Sequence, residues 1–377
     1  MPNNPPTQPA TRRIVSIDAL RGADMLLLAG GAAVLQALAA TCGWEPLQHQ
    51  LTHAGWGAPL TCWDMVMPLF IFIVGAGMPF AFAKYRSVGA GTARILWRIA
   101  RRCLLLFLLG MLVQGKLATA DPARMSLFCN TLQAIAEGYL IAALCLLFGG
   151  LRTQICVCLG CLLAYWAALH FIPYAGQPAG LYLPQQNLAI WIDHRLQGHW
   201  QDGTPYSWIL TALSFGALTL LGTLGGQIIR LRPRGLRTLL PLLGAAAGCL
   251  LAGQFFAGVL HTPLIKHIFT TSMTLWSAGW CFALLALFHL AFDFSDLLHK
   301  LATPLLVFGS NAILAYLLTE TPGLAGHSLW SSLTTPLFSG LARHAGPHAP
   351  FILALLSLLA LYGLLHFLYT RRIFLRV

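Results

Sequence analysis

Residues Thr52–Gly77 read THAGWGAPLTCWDMVMPLFIFIVGAG. The first half is a polar loop punctuated by glycine and proline. The second half is apolar, and from Met65 to Ala83 there are 19 residues without a charge. A helix of that length rises about 28 Å, close to the roughly 30 Å of a bilayer's hydrocarbon core. The rest of the chain has the same character. Of its 377 residues, 57% are hydrophobic and 9% charged, whereas a soluble globular protein carries about 25% charged residues. The expected class is an all-α polytopic membrane protein.

Ten spanning helices are expected, near residues 15–40, 61–83, 101–118, 129–149, 153–172, 208–229, 236–259, 270–291, 303–320 and 350–370. The formal net charge is +12. The basic residues cluster between apolar runs, as membrane topology requires, so no nucleic-acid partner is expected. Setting Arg21 aside, 17 Lys and Arg fall on the side of the N-terminus and 5 on the other. That bias makes both termini cytoplasmic. Residues 1–13 (MPNNPPTQPATRR) are too polar to fold and read as a disordered cytoplasmic tail without a cleavable signal; 14–377 read as one transmembrane domain. The longer connections, 41–60, 173–207 and 321–349, then lie on the outer side.

Ionisable groups inside spans cost several kcal/mol unless they are paired or face a wet cavity. SIDALRGAD spaces Asp18, Arg21 and Asp24 by three residues, so neighbours can pair on one helical face. They form either a structural ion cluster or the wall of a polar cavity, and the fork of Arg21 also suits a phosphate. NTLQAIAEGY puts Asn130, Gln133 and Glu137 on one stripe, for helix-to-helix hydrogen bonds or for a ligand. GSNAILAY sets Asn311 inside the ninth span. RILWRIARR brings Arg98, Arg101 and Arg102 near one face, suited to anionic lipid or to nucleotide phosphates. The cysteines of CVCLGC sit in an apolar run and read as packing residues, so no metal site is expected. Cys42 and Cys62 flank the 41–60 loop, and their spacing does not establish a disulfide.

In the opening stretch, His53 precedes Asp64 by eleven residues, with Trp56 and Trp63 around them. Asp64 falls in the first turn of a helix beginning near Thr61, where the dipole alone favours an acid. The tryptophans fit either an interfacial belt or a sugar platform.

The blocks RIVSIDALRGADMLLLAGG and QLTHAGWGAPLTCWDMVMPLFIFIVGAGMPF resemble the heparan-α-glucosaminide N-acetyltransferase family and its bacterial relatives. NTLQAIAEGY, the segment ending WIDHRL, FTTSMTLWSAGW and GSNAILAY extend the resemblance over nearly the whole chain. It implies a bacterial inner-membrane enzyme that takes acetyl-CoA from the cytosol as acyl donor. The acceptor would be an amino sugar or glycan on the periplasmic side, and the assembly a homodimer. His53 matches the family's active histidine, as acetyl acceptor or as general base, with Asp64 orienting its ring. Trp56, Asp18, Asp24, Asn130, Gln133, Glu137, Asp193 and Asn311 become candidate substrate contacts. Arg21, Arg98, Arg101 and Arg102 become candidate cofactor contacts. The chain departs from lysosomal members in TCGWEPLQHQL, which lacks the asparagine they carry before the histidine, and in HAGWGAP after it. A second reading is a permease for N-acetylglucosamine-type sugars. No inverted repeat or broken-helix signature is evident to support it. A scaffold has no need for so many intramembrane polar groups.

Overall fold

The computed structural model describes residues 14–117, 121–231, 236–294, 302–324 and 327–375. The tail at 1–13 and the basic residues Arg12, Arg13, Arg232, Arg234, Lys300 and Arg376 lie outside the described residues. Within them the chain is helical, linked by turns and isolated bridges.

Among the described residues, eight helical stretches are long and apolar enough to cross a membrane, or nine if one bent pair counts as a single span. The expected ten differ from that eight at two places. The helix expected at 101–118 is α3, Thr92–Val113, and it begins nine residues earlier. Its first half is amphipathic, with Ile95 and Ile99 buried while Arg94, Arg98 and Arg101 are exposed. Hydropathy stops at those arginines, whereas the backbone hydrogen bonding does not. The other is the ninth expected helix. It breaks into α10, Thr303–Ser310, and α11, Ala312–Glu320, which meet at 71°. A broken span is therefore present, contrary to the sequence expectation.

The first span runs over Val15–Cys42 as α1, with a π-helical segment at Leu27–Gly31. Gly30 there has φ 139°, a conformation that a Cβ would strain. Next come α2, Val66–Ser87, α3, then α4, Thr131–Phe148, and α5, Leu151–Phe171. The connection at 173–207 holds a short helix, α6, Leu188–Gln197. The next span, α7, is Ala212–Leu231 and starts four residues later than expected; α8, Leu236–Gly258, and α9, Thr271–His289, follow it. The 321–349 connection holds α12, Leu329–Ala342, and the last span is α13, Ala349–Thr370.

Helix α7 lies at the centre, packed on α2, α4, α5 and α9. Glycines let α2 and α7 approach backbone to backbone. A Cβ at Gly222 would stand 2.1 Å from the Phe72 carbonyl oxygen, and one at Gly75 would stand 2.0 Å from that of Thr219. Small residues at helix crossings give the close contact that membrane packing relies on. The main apolar core gathers Phe72, Phe215, Phe269, Phe282 and Phe308 around this crossing. At the break, Asn311 uses both ends of its amide. Its Nδ2 donates to the Ile373 carbonyl at 3.0 Å, and its Oδ1 accepts from Leu375 N at 2.9 Å. The segment after α13 is thereby folded back onto the bend.

Candidate functional site

The loop between α1 and α2 is closed by short polar ties. Thr61 Oγ1 donates to the Thr52 carbonyl at 2.7 Å, and Cys62 N donates to Gln50 Oε1 at 3.1 Å. Asp64 sits in a 3₁₀ turn, Trp63–Met65, directly before α2, and its carboxylate is fully buried. Its Oδ2 accepts from Thr61 N at 3.1 Å, Thr61 Oγ1 at 3.1 Å and Ala54 N at 3.2 Å. The helix-start role and the loop-anchoring role are thus met by one oxygen. The other oxygen is left for chemistry.

That oxygen, Oδ1, is 3.1 Å from His53 Nδ1 and 3.0 Å from Lys266 Nζ. Lys266 Nζ is itself 2.7 Å from His53 Nδ1. The three atoms form a closed triangle. On the far side of the ring, Trp63 Nε1 donates to His53 Nε2 at 3.2 Å. The His53 side chain is 54% exposed, while Lys266 is 6% exposed. Burial holds the lysine below its ordinary pKa, outweighing the opposite pull of Asp64.

Lys266 comes from the connection between α8 and α9, and sequence reading missed it. It counted there only as one basic residue on the outer side. The available signal was a lone lysine inside TPLIKHIF, an otherwise uncharged and largely apolar stretch. The connection is held by Thr270 Oγ1, which donates to the Pro263 carbonyl at 2.7 Å and accepts from Ile265 N at 3.1 Å.

Two cavities open on this scaffold. One, of about 500 Å³, is lined by His53, Trp63, Lys266, Asp202, Lys116 and Glu320 among others. The second, of about 450 Å³, is lined by Asp18, Arg21, Tyr85, Arg102, Tyr139 and Phe374 among others. Phe70, Thr131 and Tyr316 line both. Along α2 the first cavity takes Val66, Met67 and Phe70, and the second takes Phe70, Val74, Gly77, Met78, Ala81, Phe82 and Tyr85. One helical face therefore runs from the His53 end to the Arg21 end, about 28 Å for that many residues.

The other expected site residues distribute unevenly. Asp18 and Arg21 pair at 3.2 Å in the second cavity. Arg102 lines it with its guanidinium 4.4 Å from the Tyr139 ring centre, and its buried Nε has no hydrogen-bond partner among the described residues. Arg98 stacks on Tyr85 one layer out, and Arg101 is exposed on the surface; neither lines the cavity. Asp24 and Glu137 line neither cavity, and each has a buried oxygen with no hydrogen-bond partner in the structure.

The stripe of Asn130, Gln133 and Glu137 is not one helical face. Asn130 precedes α4 as its N-cap, and Gln133 closes the capping box by accepting from Asn130 N at 3.1 Å. Both serve the helix start, because its free N–H groups need acceptors there, and Asn130 also bonds Tyr316 and Gln114 on other elements. Trp56 packs outside the cavity, stacked on His267 at 5.1 Å and donating to the Tyr182 carbonyl at 2.8 Å. It ties the His53 loop to the 173–207 connection. Asp193 is fully buried and accepts from Trp208 N at 2.6 Å and Ile209 N at 3.1 Å. Those two bonds hold the approach to α7 and delay its first turn. Asn311 holds the tail that brings Phe374 and Leu375 to the second cavity. Cys42 and Cys62 are both free thiols.

Residues 13–165 match the model of a family described as a domain of unknown function, DUF5009. That segment carries His53, Asp64, Arg21 and Arg102, whereas Lys266 and Tyr316 lie beyond it. No curated protein matches the chain.

Proposed function

We propose that the chain is a transmembrane acyltransferase that moves an acetyl group from acetyl-CoA at the Arg21 end to an amino sugar or glycan at the His53 end. The reading builds on the resemblance to the heparan-α-glucosaminide N-acetyltransferase family. The observation that carries it is the pair of cavities sharing Phe70, Thr131 and Tyr316, with a reactive imidazole at one end and guanidinium groups at the other. In this reading α3 and the bent α10–α11 pair add two crossings to the eight. Ten crossings keep both termini in the cytoplasm of a bacterial inner-membrane protein.

The residues suit the donor. Arg102 has an unpartnered buried Nε, Arg21 stands across from it, and the walls between are apolar at Val74, Met78, Leu106 and Ile135. Guanidinium groups suit phosphates and the apolar walls suit a slender pantetheine-like arm. The thioester supplies an acyl group that is already activated. His53 then either deprotonates the acceptor or takes the acyl group on Nε2. Asp64 orients the ring.

The test uses sealed vesicles with acetyl-labelled acetyl-CoA on the Arg21 side and glucosamine on the other. Label on the sugar, lost in His53→Ala, is the expected result. Undiminished transfer by His53→Ala would sink the assignment. The broken span at Asn311 favours one alternative, sugar transport, because discontinuous helices recur in transporter sites. Accumulation of labelled sugar in proteoliposomes without acetyl-CoA would select it.

A further inference from the structure

We propose that Lys266 is a neutral amine in the resting site and accepts the Nδ1 proton of His53 when Nε2 forms its new bond. The proposal rests on His53 as the reacting group and adds a proton-accepting positioning residue behind it. It follows from counting donors around four contacts. Trp63 Nε1–H can only donate, so Nε2 is the acceptor nitrogen and a neutral ring carries its hydrogen on Nδ1. That Nδ1–H points at Asp64 Oδ1 and Lys266 Nζ. A charged ammonium at 2.7 Å would set donor against donor. A neutral amine accepts from Nδ1–H through its lone pair and still donates to Oδ1 at 3.0 Å. With the lysine neutral, the Trp63 and Nζ–Oδ1 contacts are made and the one Nδ1–H is shared between Oδ1 and Nζ. With it charged and the ring hydrogen moved to Nε2, both the Trp63 and the Asp64 contacts to the ring fail.

The surroundings act both ways: burial, His267 and Lys116 disfavour an ammonium at Lys266, whereas Asp64, Asp202, Glu320 and the Tyr206 face favour one. Asp64 is the anion of the group, and its Oδ2 is already saturated by three donors. The Tyr206 ring covers Lys266 at 5.9 Å. His267 follows it in sequence, and Lys116, Asp202 and Glu320 share its cavity. On balance burial lowers its basicity.

The step balances in either chemistry. If Nε2 bonds to a thioester carbonyl carbon, the C–S bond breaks and its electron pair leaves with sulfur. The Nδ1 proton passes to Nζ, giving a neutral acyl-imidazole, a thiolate and an ammonium. If Nε2 instead takes a proton from the acceptor amine as the amine nitrogen bonds to the thioester carbonyl carbon, the C–S electron pair leaves with sulfur, the Nδ1 proton passes to Nζ and the ring stays neutral. Each time the ammonium forms against Asp64 Oδ1, so the new charge is already paired.

Two measurements on the intact protein in detergent test this, neither needing turnover. Trace acetylation with acetic anhydride reads the neutral fraction of each lysine against pH. The labelling midpoint of Lys266 is expected below about pH 7, more than three units under the ordinary lysine value and so roughly a thousandfold more neutral amine than exposed Lys84 at a given pH. In ¹⁵N-histidine spectra, with His53 assigned by its loss in His53→Ala, the ring is expected protonated on Nδ1. Lys266→Arg places a permanent donor there and is expected to move the hydrogen to Nε2. It is also expected to lower labelled transfer by about 10²-fold or more. A Lys266 midpoint above about pH 7, or a wild-type ring protonated on Nε2, overturns the proposal. Failure of acyl transfer itself would appear separately, as sugar that never acquires label in the wild type.

Discussion

The Tyr316 hydroxyl donates to Asn130 Oδ1 at 3.1 Å, and the pair stands where the two cavities meet. Asn130 is held from the other side, its Nδ2 donating to Gln114 Oε1 at 2.8 Å. A helix cap on α4 is thereby joined to the second half of the broken span. Tyr316→Phe removes one buried hydrogen bond and is expected to cost about 1 kcal/mol. Tyr316→Ala removes the ring as well. It is expected to expose Cys129, which lines the His53-end cavity, to a maleimide applied from the Arg21 side of sealed vesicles. Equal labelling of Cys129 in wild type and Tyr316→Ala, with Cys42, Cys62 and Cys156 replaced by serine, would show that the ring does not separate the cavities.

Asp64 anchors the loop through backbone donors, and Lys266 does not. Asp64→Ala leaves Thr61 N and Ala54 N without their acceptor, while Thr61 Oγ1 keeps the Thr52 carbonyl, at an expected cost of about 2 kcal/mol or more. Lys266→Met keeps those bonds and is expected to cost less than half as much. Thermal unfolding in detergent compares the two. Equal losses would contradict the anchoring role.

Burial pushes the Asp193 carboxyl up to about 6, against the downward pull of the Trp208 and Ile209 N–H groups. An unfolded aspartate titrates near 3.9. Between those values the native state holds a proton that the unfolded state lacks, so stability falls as pH rises through that window. The difference of about two units corresponds to roughly 3 kcal/mol. Lowering pH from 7 to 5 is expected to raise the midpoint through this residue. Asp193→Asn is expected to flatten that slope, and an unchanged slope in the variant would refute the assignment.

The α2–α7 crossing tolerates no added methyl group at its glycines. Gly222→Ala would place a carbon 2.1 Å from the Phe72 carbonyl oxygen. Overpacking of this kind costs typically 1–3 kcal/mol, and contact with backbone places it at the upper end. Gly244→Ala, with nothing within 4 Å of the new carbon, is the control and is expected to be neutral or slightly stabilising. Detergent melting curves of the two variants decide it.

The sequence alone determined the solvent. Uncharged stretches such as Met65–Ala83 have no way to fold except as helices whose backbone bonds are satisfied within the segment. It also marked His53, Asp64 and Arg21, because charged and titratable groups are rare and costly beside such stretches. In the run of Asn130, Gln133 and Glu137 the helix-to-helix hydrogen bond was legible, since Asn130 makes one to Tyr316, but the stripe was not, since the helix starts between the first two. Tertiary structure alone decided the bend at Asn311, the meeting of two cavities at Tyr316 and the arrival of Lys266 beside His53. Lys266 lies 213 residues from His53. No local period or spacing encodes a contact at that separation; it exists because α8, α9 and the loop before α2 pack into one end of the bundle, where a buried carboxylate has one oxygen left to share.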